Sequence, residues 1–138
     1  MKDAVKTLGN LIDYQSVSFV GSIDDGDFPN MKAMFSPRKR EGIKALWFTT
    51  NTSSKRVAQY RKNASACVYF MDKRFFRGVM LKGTMEVLED DDSKMMIWQD
   101  GDTMYYPGGV TDPDYCVLKF TSTSGRYYAN FKSEDFET

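Results

Sequence analysis

Apolar and polar residues alternate along much of this chain, which is the period expected of strands with one buried face. Residues 16–23 show the pattern, because Val17, Phe19 and Ile23 fall on one face and serines fall largely on the other. The run Asp24-Asp25-Gly26-Asp27 then predicts a turn into the next strand. By the same criteria, strands are predicted at residues 16–23, 30–36, 43–50, 65–72, 77–89, 115–122 and 126–131, with a loop from Pro37 to Gly42 and a turn around Ser124-Gly125.

Three other segments carry apolar residues at helical spacing. The first covers residues 2–13, the second begins at Ser53 or Ser54 and runs to about Asn63, and the third follows a run of aspartates after the long strand. Gly83 interrupts that long strand and predicts a bulge, a bend or a close backbone approach. Since the helices are too few to alternate with the strands, we predict a mainly β fold with an antiparallel sheet or barrel.

The second predicted helix begins with cations rather than with acidic residues. Lys55 and Arg56 fall in its first turn, where the helix dipole is positive and an exposed cation costs about 0.3–1 kcal/mol. Free backbone N–H groups, the hydroxyls of Ser53 and Ser54 and the two cations together predict a phosphate site. The same segment also fits a solvent-exposed helix start without a ligand, and its residues alone leave both interpretations open.

Composition and charge narrow the classes of function. The chain has 19 basic and 19 acidic residues, whereas nucleic-acid binders usually show a basic excess or stripe. The basic clusters at residues 38–40 and 73–77 are therefore interpreted as exposed loop charge, and no nucleic-acid partner is expected. Histidine is absent, which removes the commonest general acid/base and metal ligand, so no metal site is expected. Cys67 and Cys116 lie in apolar runs and are predicted to be buried thiols of a reducing compartment.

The length of 138 residues fits one domain spanning residues 1–138. The N-terminal residues lack the apolar run of a signal peptide, and no window approaches the length of a transmembrane helix. We therefore predict a cytoplasmic protein without a membrane partner.

Four segments match a known family in their order and spacing. They are Pro29-Asn30-Met31-Lys32-Ala33-Met34; Trp47-Phe48-Thr49-Thr50 followed by Ser53-Ser54-Lys55-Arg56; residues 78–86; and Trp98 with residues 106–109 and 112–115. In these segments the chain resembles the pyridoxamine 5′-phosphate oxidase-like superfamily, in particular its general stress protein 26-like branch. The resemblance implies one FMN-binding split β-barrel of six to seven antiparallel strands, mainly β with flanking α-helices. It also implies a homodimer with FMN at the subunit interface.

The resemblance also implies which residues hold FMN. On the phosphate side they are Lys32, Ser54, Lys55 and Arg56, with Lys32 meeting the phosphate or the ribityl chain. On the ring side they are Ala33 and Met34, whose backbone would pass along the isoalloxazine, and the strand-end pair Thr49 and Thr50. Trp98 either lines the flavin pocket from a second subunit or packs in the core. No catalytic side chain is implied.

The function implied is that of an FMN-dependent oxidoreductase acting on an unidentified small molecule, with a possible part in stress. The arginines with which true pyridoxamine phosphate oxidases hold their substrate have no match beyond Arg126, so that activity is not expected. Nitroimidazole-reductase relatives often rely on a histidine, which is absent here. The alternatives are a non-catalytic protein that binds or senses a flavin or another cofactor, and a scaffold that has lost its ligand.

Overall fold

The computed structural model describes residues 4–138 and contains eight strands and three α-helices. The strands are β1 Val17–Ile23, β2 Pro29–Phe35, β3 Lys39–Glu41, β4 Ala45–Asn51, β5 Ser65–Asp72, β6 Arg77–Leu88, β7 Tyr115–Ala129 and β8 Lys132–Glu137. The helices are α1 Ala4–Tyr14, α2 Lys55–Lys62 and α3 Asp91–Ile97. The predicted start of the first helix, at residue 2, lies outside the described residues. The predicted mainly β class is confirmed.

All strand pairs are antiparallel and belong to one sheet, in the order β2-β1-β5-β6-β7-β4-β3, with β8 paired to β7 beyond this path. The sheet curls but does not close, because β2 at one end pairs only with β1. The result is the split barrel that the sequence predicted. The opening of the split lies between β2 and β4.

Three segments differ from the sequence prediction, and the sheet has eight strands rather than six or seven. The strand β8 at residues 132–137 lies beyond the last predicted strand. The turn predicted around Ser124-Gly125 is wrong, because β7 runs through it and pairs there with β6 on one side and β8 on the other. Position 125 of this strand is a glycine because a side chain there would meet the Phe136 ring. The loop predicted from Pro37 to Gly42 contains the short strand β3, which pairs with β4.

The main core fills the inside of the barrel and is closed by α1 and α2. Leu8, Leu11 and Ile12 of α1, with Val57 and Tyr60 of α2, pack against the inner faces of the strands. A second apolar cluster lies on the outside of β4 and β7, under α3 and the loop that follows it. Ile97, Trp47, Tyr106, Tyr115 and Val117 belong to this second cluster. None of the helices within residues 4–138 is long and apolar enough to cross a membrane.

Gly83 is the site of the irregularity that its position predicts. The pairing of β6 with β7 shifts register between Lys82 and Gly83, which is the signature of a β-bulge. A Cβ at position 83 would collide with the carbonyl oxygen of Thr121. The bulge therefore requires the missing side chain, because the backbone of β7 occupies its place.

The substitution Gly83→Ala should destabilise the fold by about 1–3 kcal/mol, as overpacking against an immobile neighbour does. Urea unfolding followed by tryptophan fluorescence measures the change. Gly26→Ala is the matched control, since its Cβ would come no nearer than 3.4 Å to any atom; its effect should stay within about 0.5 kcal/mol. Equal stabilities for the two variants would show that β7 yields at the bulge.

Candidate functional site

A cavity of about 310 Å³ lies in the split of the barrel, between β2 and β4. Both strands contribute their C-terminal halves, and the start of α2 and the loop after α3 close its ends. The lining residues are Val17, Ala33, Met34, Phe35, Arg38, Thr49, Thr50, Asn51, Arg56, Tyr105 and Tyr106. The surface is mostly apolar and aromatic with a few polar groups, which is the usual character of a cofactor or small-molecule site.

Five of the nine predicted site residues meet at this cavity. Ala33 and Met34 come from β2, Thr49 and Thr50 from β4, and Arg56 from the first turn of α2. Residues far apart in sequence therefore converge because the split brings the two strand ends together. Five residues that the resemblance assigns to one site therefore line one cavity, and their role in holding a cofactor stays a prediction.

The start of α2 is built as the hydroxyl-rich sequence predicted. Ser54 is the N-cap, with extended dihedrals of φ −70° and ψ 152°, and its Oγ accepts a hydrogen bond from the amide of Val57 at 3.3 Å. This cap uses the Ser54 hydroxyl as an acceptor within the helix. The amides of Lys55 and Arg56, in the first turn, have no carbonyl partner within the helix by geometry, so they remain available for an anion.

Arg56 carries the most informative side chain of the cavity. Its Nε is buried and has no hydrogen-bond partner among residues 4–138. A buried donor of a charged group without a partner is costly, so native structures rarely keep one unless something external binds it. Arg56 is among the residues that line the cavity, as are Thr50 and Asn51. These observations point to an anionic group that the cavity accepts from outside.

The loop before α2 is bound by an internal anion, Asp114, which directly precedes β7. Asp114 accepts hydrogen bonds from the amide of Ser53 at 2.8 Å and from Nδ2 of Asn51 at 2.9 Å. Hydrogen bonds from Ser53 and Asn51 hold the pKa of Asp114 below its usual range. The backbone amide of Thr52 also donates to the Asp114 carbonyl at 2.8 Å. Asp114 thus fixes the loop before α2. It already accepts the hydrogen bond of the Ser53 amide, which is one of the free backbone N–H groups expected to bind a phosphate.

Lys32 and Lys55 lie near the cavity but do not line it. Lys32 is exposed on the edge strand β2; it pairs with Val20 of the core and so shares the inner face of β2 with Met34. Lys55 lines a separate groove, beside Asp24, Asp25 and Lys62. The assignment of Lys32 and Lys55 to a phosphate remains a prediction, and the geometry favours Arg56 over Lys55.

Trp98 packs against two buried tyrosines within the same chain. Its ring centroid lies 5.2 Å from that of Tyr115 and 6.2 Å from that of Tyr106. It borders the second apolar cluster rather than the cavity. The structure thus supports the core interpretation of Trp98, and its contact with a flavin of a second subunit stays a prediction.

The sequence interpretation missed the ion pair between Arg38 and Asp102. Arg38 was taken for exposed loop charge, which is wrong: its two terminal nitrogens each lie 2.9 Å from an Asp102 oxygen, and the two side chains are 15% and 5% exposed. Arg74 and Arg77 bind the buried Asp72 and hold its pKa at about 2. The Arg74 side chain is 39% exposed, as interpreted, whereas that of Arg77 is 24% exposed. The partner of Arg38 lies 64 residues further along the chain, so the sequence around Arg38 carries no signal of this ion pair.

Asp102 also positions Tyr105 and Tyr106, which form the aromatic wall of the cavity. Its carbonyl accepts the amides of Tyr105 and Tyr106, each at 2.9 Å, and its carboxylate accepts the Gln99 amide at 2.9 Å. Burial raises the pKa of the Tyr106 phenol, and a hydrogen bond with Thr49 opposes that shift. The backbone carbonyl of Asp102 therefore fixes the amides of both tyrosines, and burial keeps the Tyr106 phenol protonated.

The chemistry available from the side chains themselves is limited. Within residues 4–138 there is no group of three or more metal-ligating side chains, and no His exists in the chain. The cavity instead offers strand backbone, hydroxyls, aromatic rings and one guanidinium with an unsatisfied donor. Such a site suits a bound cofactor that brings its own reactive atoms.

Comparison with solved structures shows the same fold in several proteins. A protein related to general stress protein 26 of Bacillus subtilis, described as of the pyridoxinephosphate oxidase family and taken from Clostridium acetobutylicum, is 41% identical; the match covers 96% of this chain and 93% of that one, with a TM-score of 0.88. General stress protein 26 from Bacillus anthracis is 18% identical over 97% of this chain and 98% of that one, with a TM-score of 0.80.

A haem-binding protein from Mycobacterium smegmatis also shares the fold. It is 13% identical, with a TM-score of 0.79, over 99% of this chain and 59% of that one. At this identity the likeness concerns the fold alone. No curated protein matches the chain. A family model described as "Pyridoxamine 5'-phosphate oxidase like" matches residues 3–136, nearly the whole sequence. The chain therefore belongs to the pyridoxamine 5′-phosphate oxidase-like family.

Proposed function

We propose that this protein binds FMN in the split of its barrel and acts as an oxidoreductase on a small molecule. The observation that carries the proposal is the buried, unpartnered Nε of Arg56 at the start of α2. A phosphate monoester supplies the acceptors that this donor and the first-turn amides lack. Membership of the family supports a flavin-type cofactor rather than an unrelated anion.

The residues present fit FMN at both ends. Arg56 and the first-turn amides of α2 would hold the phosphate, with Lys32 adding positive charge from the edge of β2. The backbone of Ala33 and Met34 would lie along the isoalloxazine, and Thr49 and Thr50 would contact it from β4. The same cavity wall supplies apolar and aromatic faces for a flat ring system.

When bound, FMN supplies the electron-transfer chemistry, and the protein's own task is to bind, orient and exclude water. This division suits a cavity without an acid/base side chain. Arg126, which stands alone where true pyridoxamine phosphate oxidases use several arginines, is paired with Asp135 at 3.5 Å on the surface. We infer that vitamin B6 oxidation is not the reaction. The stress-protein names of the relatives support a role in stress as part of the same proposal.

We also propose that the protein is a homodimer and that FMN lies at the subunit interface. The outer face of the sheet carries a row of apolar side chains across four strands, in which Phe19 pairs with Ala33 and Tyr69, and Tyr69 pairs with Met80. On the edge strand, Met31 is 73% exposed and Phe35 is 63% exposed. Aromatic residues and Met are enriched at interfaces, and Phe35 also lines the cavity. A second copy on this face would therefore border the cofactor.

A non-catalytic FMN binder or sensor is the second candidate, favoured by the single guanidinium available to the phosphate. The two candidates separate in one assay. The FMN-loaded oxidoreductase should be reduced by NADH or NADPH and reoxidised by an added acceptor, whereas a pure binder should be reduced only by a chemical reductant. Protein that binds no added FMN would contradict both candidates.

The substitution Arg56→Met should weaken FMN binding by about 1.5–3 kcal/mol, the worth of a hydrogen bond to a charged group. Titration of apoprotein with FMN, followed by quenching of flavin fluorescence, measures the affinity. Lys55→Met is the matched control: it removes the same charge one residue earlier, from a side chain in another groove, and should cost at most about 1 kcal/mol. The assignment of the phosphate to Arg56 fails if Lys55→Met has the larger effect.

The substitution Met31→Lys should turn the dimer into a monomer, because it places a charge in the middle of the proposed apolar interface. Sedimentation velocity at micromolar concentration measures the assembly. Val5→Lys is the control, since Val5 is an exposed apolar residue on α1 and not on the sheet face. A Met31→Lys protein that sediments like the unaltered protein would place the interface elsewhere.

A further inference from the structure

The charges around the cavity restrict what it can take besides FMN. Among the described residues that line it, only Arg38 and Arg56 carry a charge. Arg56 is assigned to the phosphate. Arg38 is already neutralised by the two-pronged pair with Asp102, and its Nη1 also donates to the carbonyl of Ile97 at 3.1 Å. Once FMN is bound, the described residues of one chain that line the cavity offer no free cation for a second anion.

The rest of the lining is mostly aromatic and apolar. The rings of Phe35 and Tyr105 lie 6.1 Å apart at 57°, and those of Tyr105 and Tyr106 lie 6.4 Å apart at 60°. Val17 and Ala33 extend this surface along the sheet. Aromatic faces arranged in this way favour flat ring systems, which gain both buried area and ring–ring contacts.

The Arg38–Asp102 ion pair affects both the charge of the cavity and the position of its aromatic residues. The Asp102 carboxylate cancels the charge of Arg38, and the carbonyl of the same residue fixes the amides of Tyr105 and Tyr106. Thr49, on β4, lines the same cavity as Tyr106. Asp102 thus holds the backbone of Tyr105 and Tyr106 and at the same time neutralises Arg38.

We propose that the site takes an uncharged, planar aromatic substrate, and that the Arg38–Asp102 ion pair excludes anionic ones. The inference rests on the proposed function, because it assumes that FMN occupies Arg56. Burying an anion without a counter-charge is strongly unfavourable, so phosphorylated or carboxylated substrates are rejected by the lack of a partner rather than by size. Asp102 acts here as a positioning residue and not as a catalytic one.

The test compares two ligands of nearly the same shape, para-nitrobenzamide and para-nitrobenzoate, with the FMN-loaded protein. Equilibrium dialysis gives both affinities without any turnover. The amide should bind about tenfold or more tightly than the carboxylate. Equal affinities, tighter binding of the carboxylate, or no binding of the amide would overturn the inference.

The substitution Asp102→Asn tests the part played by the ion pair. It leaves Arg38 charged and without its carboxylate, so the preference for the amide should fall below about threefold or reverse. Asp135→Asn is the control, because it removes a carboxylate from the exposed pair with Arg126; it should keep the preference of the unaltered protein. An unchanged preference in Asp102→Asn would remove the ion pair from the explanation.

Two further measurements keep the outcomes distinct. If Asp102→Asn does not fold, as judged by near-UV circular dichroism, Arg38→Gln carries the test with the opposite sign, since the uncompensated carboxylate should increase the preference for the amide. Titration with FMN precedes every dialysis. Failure to bind FMN contradicts the proposed function, whereas an FMN-loaded protein that shows no preference contradicts only this inference.

Discussion

Strands β2 and β4 approach each other across the split of the barrel without pairing, and the site depends on this gap. Strand ends that do not bond to each other leave backbone groups and side chains facing a shared space. The bulge at Gly83 helps to keep this geometry, because it lets β6 and β7 bend around the core. The cavity is therefore a consequence of sheet curvature, and the side chains around it decide what enters.

Few charged side chains line the cavity at that gap. Asp114 accepts hydrogen bonds from the loop before α2, Asp102 neutralises Arg38, and Arg56 keeps a buried donor without a partner among residues 4–138. One guanidinium, a helix N-terminus and an aromatic wall together define a ligand with an anionic end and a flat, uncharged body. The proposed cofactor FMN has both parts.

The sequence predicted the parts of the structure that local rules control. The N-cap at Ser54, the cations in the first turn of α2 and the irregularity at Gly83 each follow from residue types at fixed spacing. The resemblance added the expectation that residues of β2 and β4 meet at one cavity, which periodicity cannot supply. Arg38 was misinterpreted because its partner lies in a distant loop, and the run of β7 through Gly125 was missed because a glycine in a strand resembles a turn.

The choice between Lys55 and Arg56 was also beyond the sequence, since neighbouring positions on a helix point about 100° apart and only the packed structure shows which one faces the cavity. That choice leads to the central claim, which is that the start of α2 binds a phosphate. The most direct measurement compares the affinities of the purified apoprotein for FMN and riboflavin, which differ only in the phosphate. The account predicts that FMN binds about tenfold to a hundredfold more tightly, as one or more charge-assisted hydrogen bonds require. Equal affinities for the two flavins would contradict it.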